Sequence, residues 1–310
     1  MSGAHRPGSI GFAGVGLRAQ RVRVPLRVPL GGLAFREATL VEGPVGWGEF
    51  SPLPGYPCDP GRCEDAVREA VFVAWPVPVR DEVAVNALVP AVDPAAAAEL
   101  ATAAAAAGIT TVKVKVGAGP PGDDVDRVAA VRAALGPAGR IRLDANGAWD
   151  VDGAVAALDR LAVFDLELVE QPVSDIGDLA RLRRRVAVPV AADESVRSPG
   201  DARRLAALDA ADAVVVKVQP LGGVRAALRV VDAAGVPAIV SSLYETSIGL
   251  AAGVALAAAL PELPFACGLG TGALLAGDVV ADPLVPRAGT LPVRRPEPDP
   301  ALLARWAIDG

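Results

Sequence analysis

From about residue 83 the chain repeats one unit, a short run rich in Val and Ile followed by an Ala, Leu and Arg stretch of helical character. No other feature narrows the fold so far. The strand candidates are VAVNALVP (83–90), TVKVKVG (111–117), IRLDANG (141–147), LELVEQP (166–172), VPVAADE (188–194), AVVVKVQ (213–219), PAIVSSL (237–243) and PFACGLG (264–270). Between them lie helix candidates such as DPAAAAELATAAAAAG, DDVDRVAAVRAALG and GGVRAALRVVDAAG, the last two stopped by a glycine. Strand–helix alternation at this spacing predicts a parallel sheet with right-handed crossovers. Eight strands predict closure, so the expected class is α/β, a TIM-like (β/α)7β barrel over residues 83–281.

Before residue 83 the pattern differs. RVRVPLRVPL, FREATLVEG and VGWGEFSP read as antiparallel strands, followed by a helix around CEDAVREAVFVAW. The Pro-rich end, from about Asp282, is expected to pack back on this part. Residues 1–82 with 282–310 are therefore read as an α+β capping domain.

A net charge of -6 and a pI near 5.0, with no basic patch interleaved with aromatics, argue against nucleic acid and anionic membranes as partners. The longest apolar run, Leu250 to Leu260, is about half of the roughly 20 residues that span a bilayer. MSGAHRPGSIGFAGVG lacks the apolar block of a signal peptide, so a cytoplasmic location is expected. Cys58, Cys63 and Cys267 with His5 do not make a zinc set and are read as free thiols; His-based catalysis is excluded.

In TVKVKVG, valine alternates with lysine, so Lys113 and Lys115 share one face of a strand that a core should surround. In a barrel the chemistry gathers where strands end. Those ends carry Lys115, Asp144, Glu170, Asp193 and Lys217, each about one strand–helix unit after the last. Three carboxylates without His or Cys suit a hard cation, Mg²⁺ or Mn²⁺, which offsets the cost of burying them. A lysine beside such a cation can have its pKa lowered and serve as a base. The competing reading is a ring of salt bridges at the barrel mouth.

A second motif competes for the same region. Gly117-Ala118-Gly119-Pro120-Pro121-Gly122 matches GxGxxG after a strand, with Asp144 about 20 residues on, as in a dinucleotide site. Pro120 and Pro121 remove two amide donors, and Asp123 and Asp124 place negative charge where pyrophosphate would sit. It reads as an ordinary loop with acidic capping of the next helix.

KVK (113–115), LDANGAW (143–149), VEQP (169–172), ADES (192–195), VVKVQPLGG (215–223) and ACGLGT (266–271) together resemble the enolase superfamily, in its muconate-lactonizing subgroup. The resemblance implies that Asp144, Glu170 and Asp193 bind Mg²⁺, for which Mn²⁺ can substitute, and that the ion grips the carboxylate of a small-molecule substrate. It implies that Lys115 removes the proton next to that carboxylate and then assists a departing hydroxide, while Lys217 stabilises the enediolate from the opposite face. Lys113 would help hold the carboxylate, Ser241 and Gly268 would contact a succinyl end, and Asn146 and Glu194 would orient the ligating side chains. Arg18, in a capping loop near residues 14–20, reads as a surface arginine before a substrate contact, and Tyr244 as packing before pocket lining.

The reaction expected from the resemblance is a hydro-lyase step of menaquinone synthesis, dehydration of 2-succinyl-6-hydroxy-2,4-cyclohexadiene-1-carboxylate. Two lysines on opposite faces suit an alternative equally well, an N-acylamino acid racemase or a dipeptide epimerase of the same superfamily. Cys267-Gly268-Leu269-Gly270-Thr271 carries no carboxylate for a substrate ammonium, which disfavours the dipeptide. A non-catalytic barrel is the third reading, and the complete set of charged strand ends disfavours it. The chain is expected to act as a monomer or homo-oligomer.

Overall fold

The computed structural model describes residues 17–30 and 32–308. His5 and the start of the capping loop, residues 14–16, lie outside the described residues. The chain begins with an antiparallel sheet, β1 (Arg18–Leu30), β2 (Leu33–Glu42) and β3 (Trp47–Phe50), in that spatial order, followed by α1 (Pro60–Phe72). Next come β4 (Glu82–Ala84), β5 (Ala87–Val89), α2 (Pro94–Ala106), β6 (Thr111–Lys115), α3 (Pro121–Leu135), β7 (Arg140–Asp144) and α4 (Val151–Leu161). They are followed by β8 (Leu166–Glu170), α5 (Ile176–Arg183), β9 (Val190–Ala192), α6 (Pro199–Ala207) and β10 (Ala213–Lys217). The chain continues through α7 (Val218–Leu221), α8 (Val224–Ala234), β11 (Ala238–Ser241), α9 (Ser247–Ala259), β12 (Thr290–Pro292) and α10 (Pro300–Trp306).

β5 to β11 form one parallel sheet in sequential order, the curled wall of a TIM-like barrel. The helices start where the sequence supplies a cap. Asp93, Asp150, Asp175, Ser198 and Thr246 each accept a backbone N–H of the first turn, and proline follows at the first position of α2 and α6. The glycine stops also hold, since Gly136 (φ 67°) and Gly235 (φ 64°) end α3 and α8 in the left-handed region.

Two strand expectations need correction. The first, 83–90, divides at Asn86. Its start, β4, pairs antiparallel with β12, and only β5 joins the parallel sheet. The last, 264–270, is no ladder strand. Cys267 exchanges backbone hydrogen bonds with Ala84 and Asn86, and the Gly268 N–H donates to Val240 O, so single bridges to Val85 and Ser241 close the wall. Close approach explains this. A Cβ at Gly268 would lie 2.5 Å from Ser241 Oγ, and one at Gly270 would lie 2.8 Å from Asn86 O. Glycine lets the backbones meet but gives a strand nothing to pack.

Leu168, Ala191, Ala213, Val215 and Ile239 form a separate buried cluster with Phe265. Side chains alternate along a strand, so these residues fill the barrel interior, and Glu170, Lys217 and Ser241, each two residues beyond a member, share that face at the rim. The N-terminal sheet docks beside this rim. Glu49 on β3 accepts the Thr246 and Gly249 N–H groups at the start of α9 (3.2 and 3.0 Å), and it also takes the Thr246 hydroxyl.

Candidate active site

Strand register assembles the rim. Lys115 pairs with Asp144, Asp144 with Glu170, and Glu170 with Ala191, two residues before Asp193; Lys217 pairs with Ser241, which bridges to Gly268. The five charged residues read from the repeat are therefore neighbours round one barrel end. Asp144 and Glu170 are 1% exposed and Asp193 is 2% exposed, too deep to stay charged without partners.

The three lysines are those partners. Lys113 Nζ lies 2.8 Å from both Asp144 Oδ2 and Glu170 Oε1, so these two carboxylates aim at one point. Lys115 Nζ donates to Asp144 Oδ2 (2.7 Å) and Asn146 Oδ1 (2.6 Å), and Asn146 Nδ2 donates to Glu194 Oε1 (2.8 Å). Lys217 is held by both oxygens of Asp193. The chain therefore draws the competing ring of salt bridges, built from the same residues as the expected site.

Local backbone holds this arrangement. Asn146 adopts φ 47° and Gly147 φ 73°, a left-handed pair that Asn and Gly tolerate, and the Asn146 N–H turns back onto Asp144 Oδ1 (3.2 Å). Gln171, after Glu170, is left-handed as well (φ 41°). Its buried Oε1 accepts the Asp193 N–H (2.7 Å), the Ser195 N–H (3.3 Å) and the Ser195 hydroxyl (3.0 Å), which fixes the loop carrying Asp193.

Burial opposes charge on Lys113 and Lys217, yet neighbouring carboxylates, Asp144 and Glu170 for the first and Asp193 for the second, overcome it and raise both above the ordinary lysine value. Burial raises Asp193, and it pushes Glu170 up to about 7, with Lys113 pulling down and Asp144 and Asp193 adding to the rise. Burial pushes up on Asp144 too, but Lys113 and Lys115 together hold it below the carboxylate range.

A cavity of about 360 Å³ opens on this rim. Lys113, Lys115 and Lys217 line it, and so do Ser241 and Gly268, which stand beside Lys217 in the wall. Tyr244 (φ 62°) packs against the Val22, Leu40 and Ile248 core, as expected, and lines the cavity as well. Arg18 is a surface residue at the start of β1 that faces Glu42 at 3.8 Å. The GxGxxG segment makes no phosphate cradle: the Gly117 N–H donates to Asp124 Oδ2 (2.8 Å), so a carboxylate from the first turn of α3 already takes that amide. The cysteines are free thiols, as expected. Tyr56 at this rim escaped the sequence reading; its hydroxyl donates to Asp193 Oδ1 (2.8 Å) from the loop between β3 and α1.

The site's chemistry fits a divalent cation. Its acids, Asp144, Glu170, Asp193 and Glu194, outnumber its three ammonium groups. Glu194 Oε2 is buried with no hydrogen-bond partner, and burial has raised two of the other acids. An all-oxygen set with surplus negative charge suits Mg²⁺ or Mn²⁺. Among the described residues, no three acidic, His or Cys side chains stand close enough to hold an ion together, because ammonium groups lie between the carboxylates.

Comparison with known proteins agrees with this architecture. Residues 95–298 match the enolase C-terminal domain-like family and residues 21–62 the enolase N-terminal domain-like family. An o-succinylbenzoate synthase of Thermobifida fusca is 55% identical over 92% of this chain and 90% of its own. One of Mycobacterium ulcerans is 46% identical over 92% of this chain and 87% of its own. Among solved structures, the muconate lactonizing enzyme from Pseudomonas putida superposes with a TM-score of 0.82 at 25% identity, covering 94% of this chain and 99% of that one. The chain belongs to the enolase superfamily and, within it, to the family of the o-succinylbenzoate synthases.

Proposed function

We propose that this chain dehydrates 2-succinyl-6-hydroxy-2,4-cyclohexadiene-1-carboxylate to 2-succinylbenzoate, as a hydro-lyase in menaquinone synthesis. The observation that carries the reading is the pair of amines facing each other across the rim. Lys115 on β6 and Lys217 on β10 stand four positions apart in the wall, with the carboxylates between them. The names of the relatives supply the reaction, and the pair supplies the means.

Asp144, Glu170 and Asp193 would hold Mg²⁺, with Mn²⁺ able to replace it. When bound, the ion supplies positive charge beside the substrate carboxylate, where negative charge builds as the α proton leaves. Lys113 helps to hold that carboxylate. Lys115 Nζ takes the α proton; the C–O bond to the hydroxyl breaks with its electron pair on oxygen, and the same Nζ returns the proton, so water departs and the ring becomes aromatic. Acting twice from one side makes the elimination syn. Lys217 keeps its ammonium on the other face, against the developing enediolate. Asn146 and Glu194 orient Lys115 through their hydrogen-bond chain, and Ser241 and Gly268 face the succinyl arm.

The part before residue 83, together with the tail from Asp282, acts in this reading as the cap that covers the bound substrate. Racemisation of an N-acylamino acid would use the same two lysines. It is tested by offering N-succinylamino acids beside the cyclohexadiene: turnover of the diene supports the dehydratase, and racemisation with no diene turnover overturns it.

A further inference from the structure

The segment SPLPGYPCD (51–59) runs from the end of β3 to the cap of α1. It is built to be stiff. Pro52, Pro54 and Pro57 fix three backbone φ angles, and Leu53 to Tyr56 close a turn in which the Tyr56 N–H donates to Leu53 O (3.1 Å). Pro54 and then Gly55 at φ 84° occupy the two central positions, as a type II turn demands. The turn delivers one aromatic side chain to the rim. The Tyr56 hydroxyl accepts from Lys217 Nζ (3.3 Å) and donates to Asp193 Oδ1 (2.8 Å), and the ammonium lies 4.5 Å from the ring centroid. Among the described residues no other side chain of the N-terminal part hydrogen-bonds to any of the three lysines.

We propose that Tyr56 is a positioning residue for Lys217. The proposal rests on Lys217 acting as the ammonium opposite Lys115. Asp193 has two claimants, that ammonium and a divalent ion. The aromatic face is the contact on Lys217 that ion binding leaves in place, and within about 6 Å of a ring such a contact is directional. Tyr56 thereby sets where the ammonium stands when Asp193 turns to the ion.

The sequence provides an unusually clean test, because it contains only three lysines, Lys113, Lys115 and Lys217. Protein labelled with ¹³C at the lysine ε carbon gives three ε-methylene signals, and Lys217→Met identifies one of them. The expected result is that the Lys217 signal lies upfield of the other two through the Tyr56 ring current. It stays there in Tyr56→Phe and moves to the unshifted position in Tyr56→Leu. With Mg²⁺ and the diene, Tyr56→Leu is expected to lower kcat on the order of a hundredfold with KM little changed. Tyr56→Phe, which keeps the ring, should lose no more than about tenfold.

An unshifted Lys217 signal in the wild type overturns the proposal. So does a shift that survives Tyr56→Leu, or a Tyr56→Leu defect confined to KM, which would make Tyr56 a plain substrate contact. If Tyr56→Leu does not fold, the wild-type and Tyr56→Phe spectra still decide. Full turnover by Lys217→Met would instead remove the role assigned to Lys217, and the spectra distinguish that failure from a misplaced ring.

Discussion

Of the 30 basic residues in the chain, three are lysine and the other 27 arginine, and all three lysines stand at the rim. Among the described residues arginine serves every ion pair away from the rim, including the buried Arg127–Asp124 pair. It cannot serve where a proton must be given up, because the guanidinium stays charged. This scarcity was the strongest signal in the sequence that the charge spacing alone did not use. It leads to a sharp expectation: Lys115→Arg keeps a cation beside Asp144 but loses the base. Turnover should drop by about three orders of magnitude or more, while far-ultraviolet circular dichroism and melting temperature stay close to wild type. Near-normal turnover by that variant would remove Lys115 from its role. Gly268 offers a second test. A Cβ there would sit 2.5 Å from Ser241 Oγ, so Gly268→Ala should displace the serine, raise KM and leave kcat nearer its original value. Tyr56 and Gln171 were harder to read. Tyr56 reaches the rim from a different part of the chain, so no spacing announces it, and the value of Gln171 lies in a left-handed backbone angle that its residue type does not reveal.

At the scale of elements, the strands β6 to β10 were legible because each couples an apolar run to a charged end, and most helices because Asp, Ser or Thr opens them and glycine ends several. The seam was not legible. VAVNALVP and PFACGLG look like full strands, but Asn86 breaks the first and Gly268 and Gly270 bring the second in too close for a ladder. The docking of β3 on α9 was equally hidden, since Glu49 and Thr246 are 197 residues apart. That contact has a pH signature. Burial raises Glu49 to about 7, and Glu245 adds to the rise against hydrogen bonds from Thr246, Ser51 and Gly249. A carboxyl raised on folding adds stability below its unfolded value, about 4.5, and loses that contribution as pH climbs through about 7. Denaturant unfolding should therefore show wild type losing stability across that window relative to Glu49→Gln. A stability difference between the two that does not change with pH would contradict the assignment.

For the whole molecule, a barrel gathers the charge at one end, and the N-terminal part brings Tyr56 to that charged rim. The surplus of buried acid over ammonium should make the protein sensitive to metal. Mg²⁺ at a hundred times its dissociation constant is expected to stabilise the fold by about 2.7 kcal/mol, read as a rise in melting temperature that chelator reverses and Mn²⁺ reproduces. Asp144→Asn with Glu170→Gln should lose that rise. Among the described residues no helix is long and apolar enough to cross a membrane.

The most direct measurement follows the loss of ultraviolet absorbance of 2-succinyl-6-hydroxy-2,4-cyclohexadiene-1-carboxylate in the presence of purified chain and Mg²⁺, with product identified as 2-succinylbenzoate. Rapid turnover is expected of wild type, none with excess chelator, and none of Lys115→Ala of unchanged fold. Undiminished turnover by Lys115→Ala, or wild-type protein that leaves the diene untouched with Mg²⁺ present, would contradict the proposed reaction.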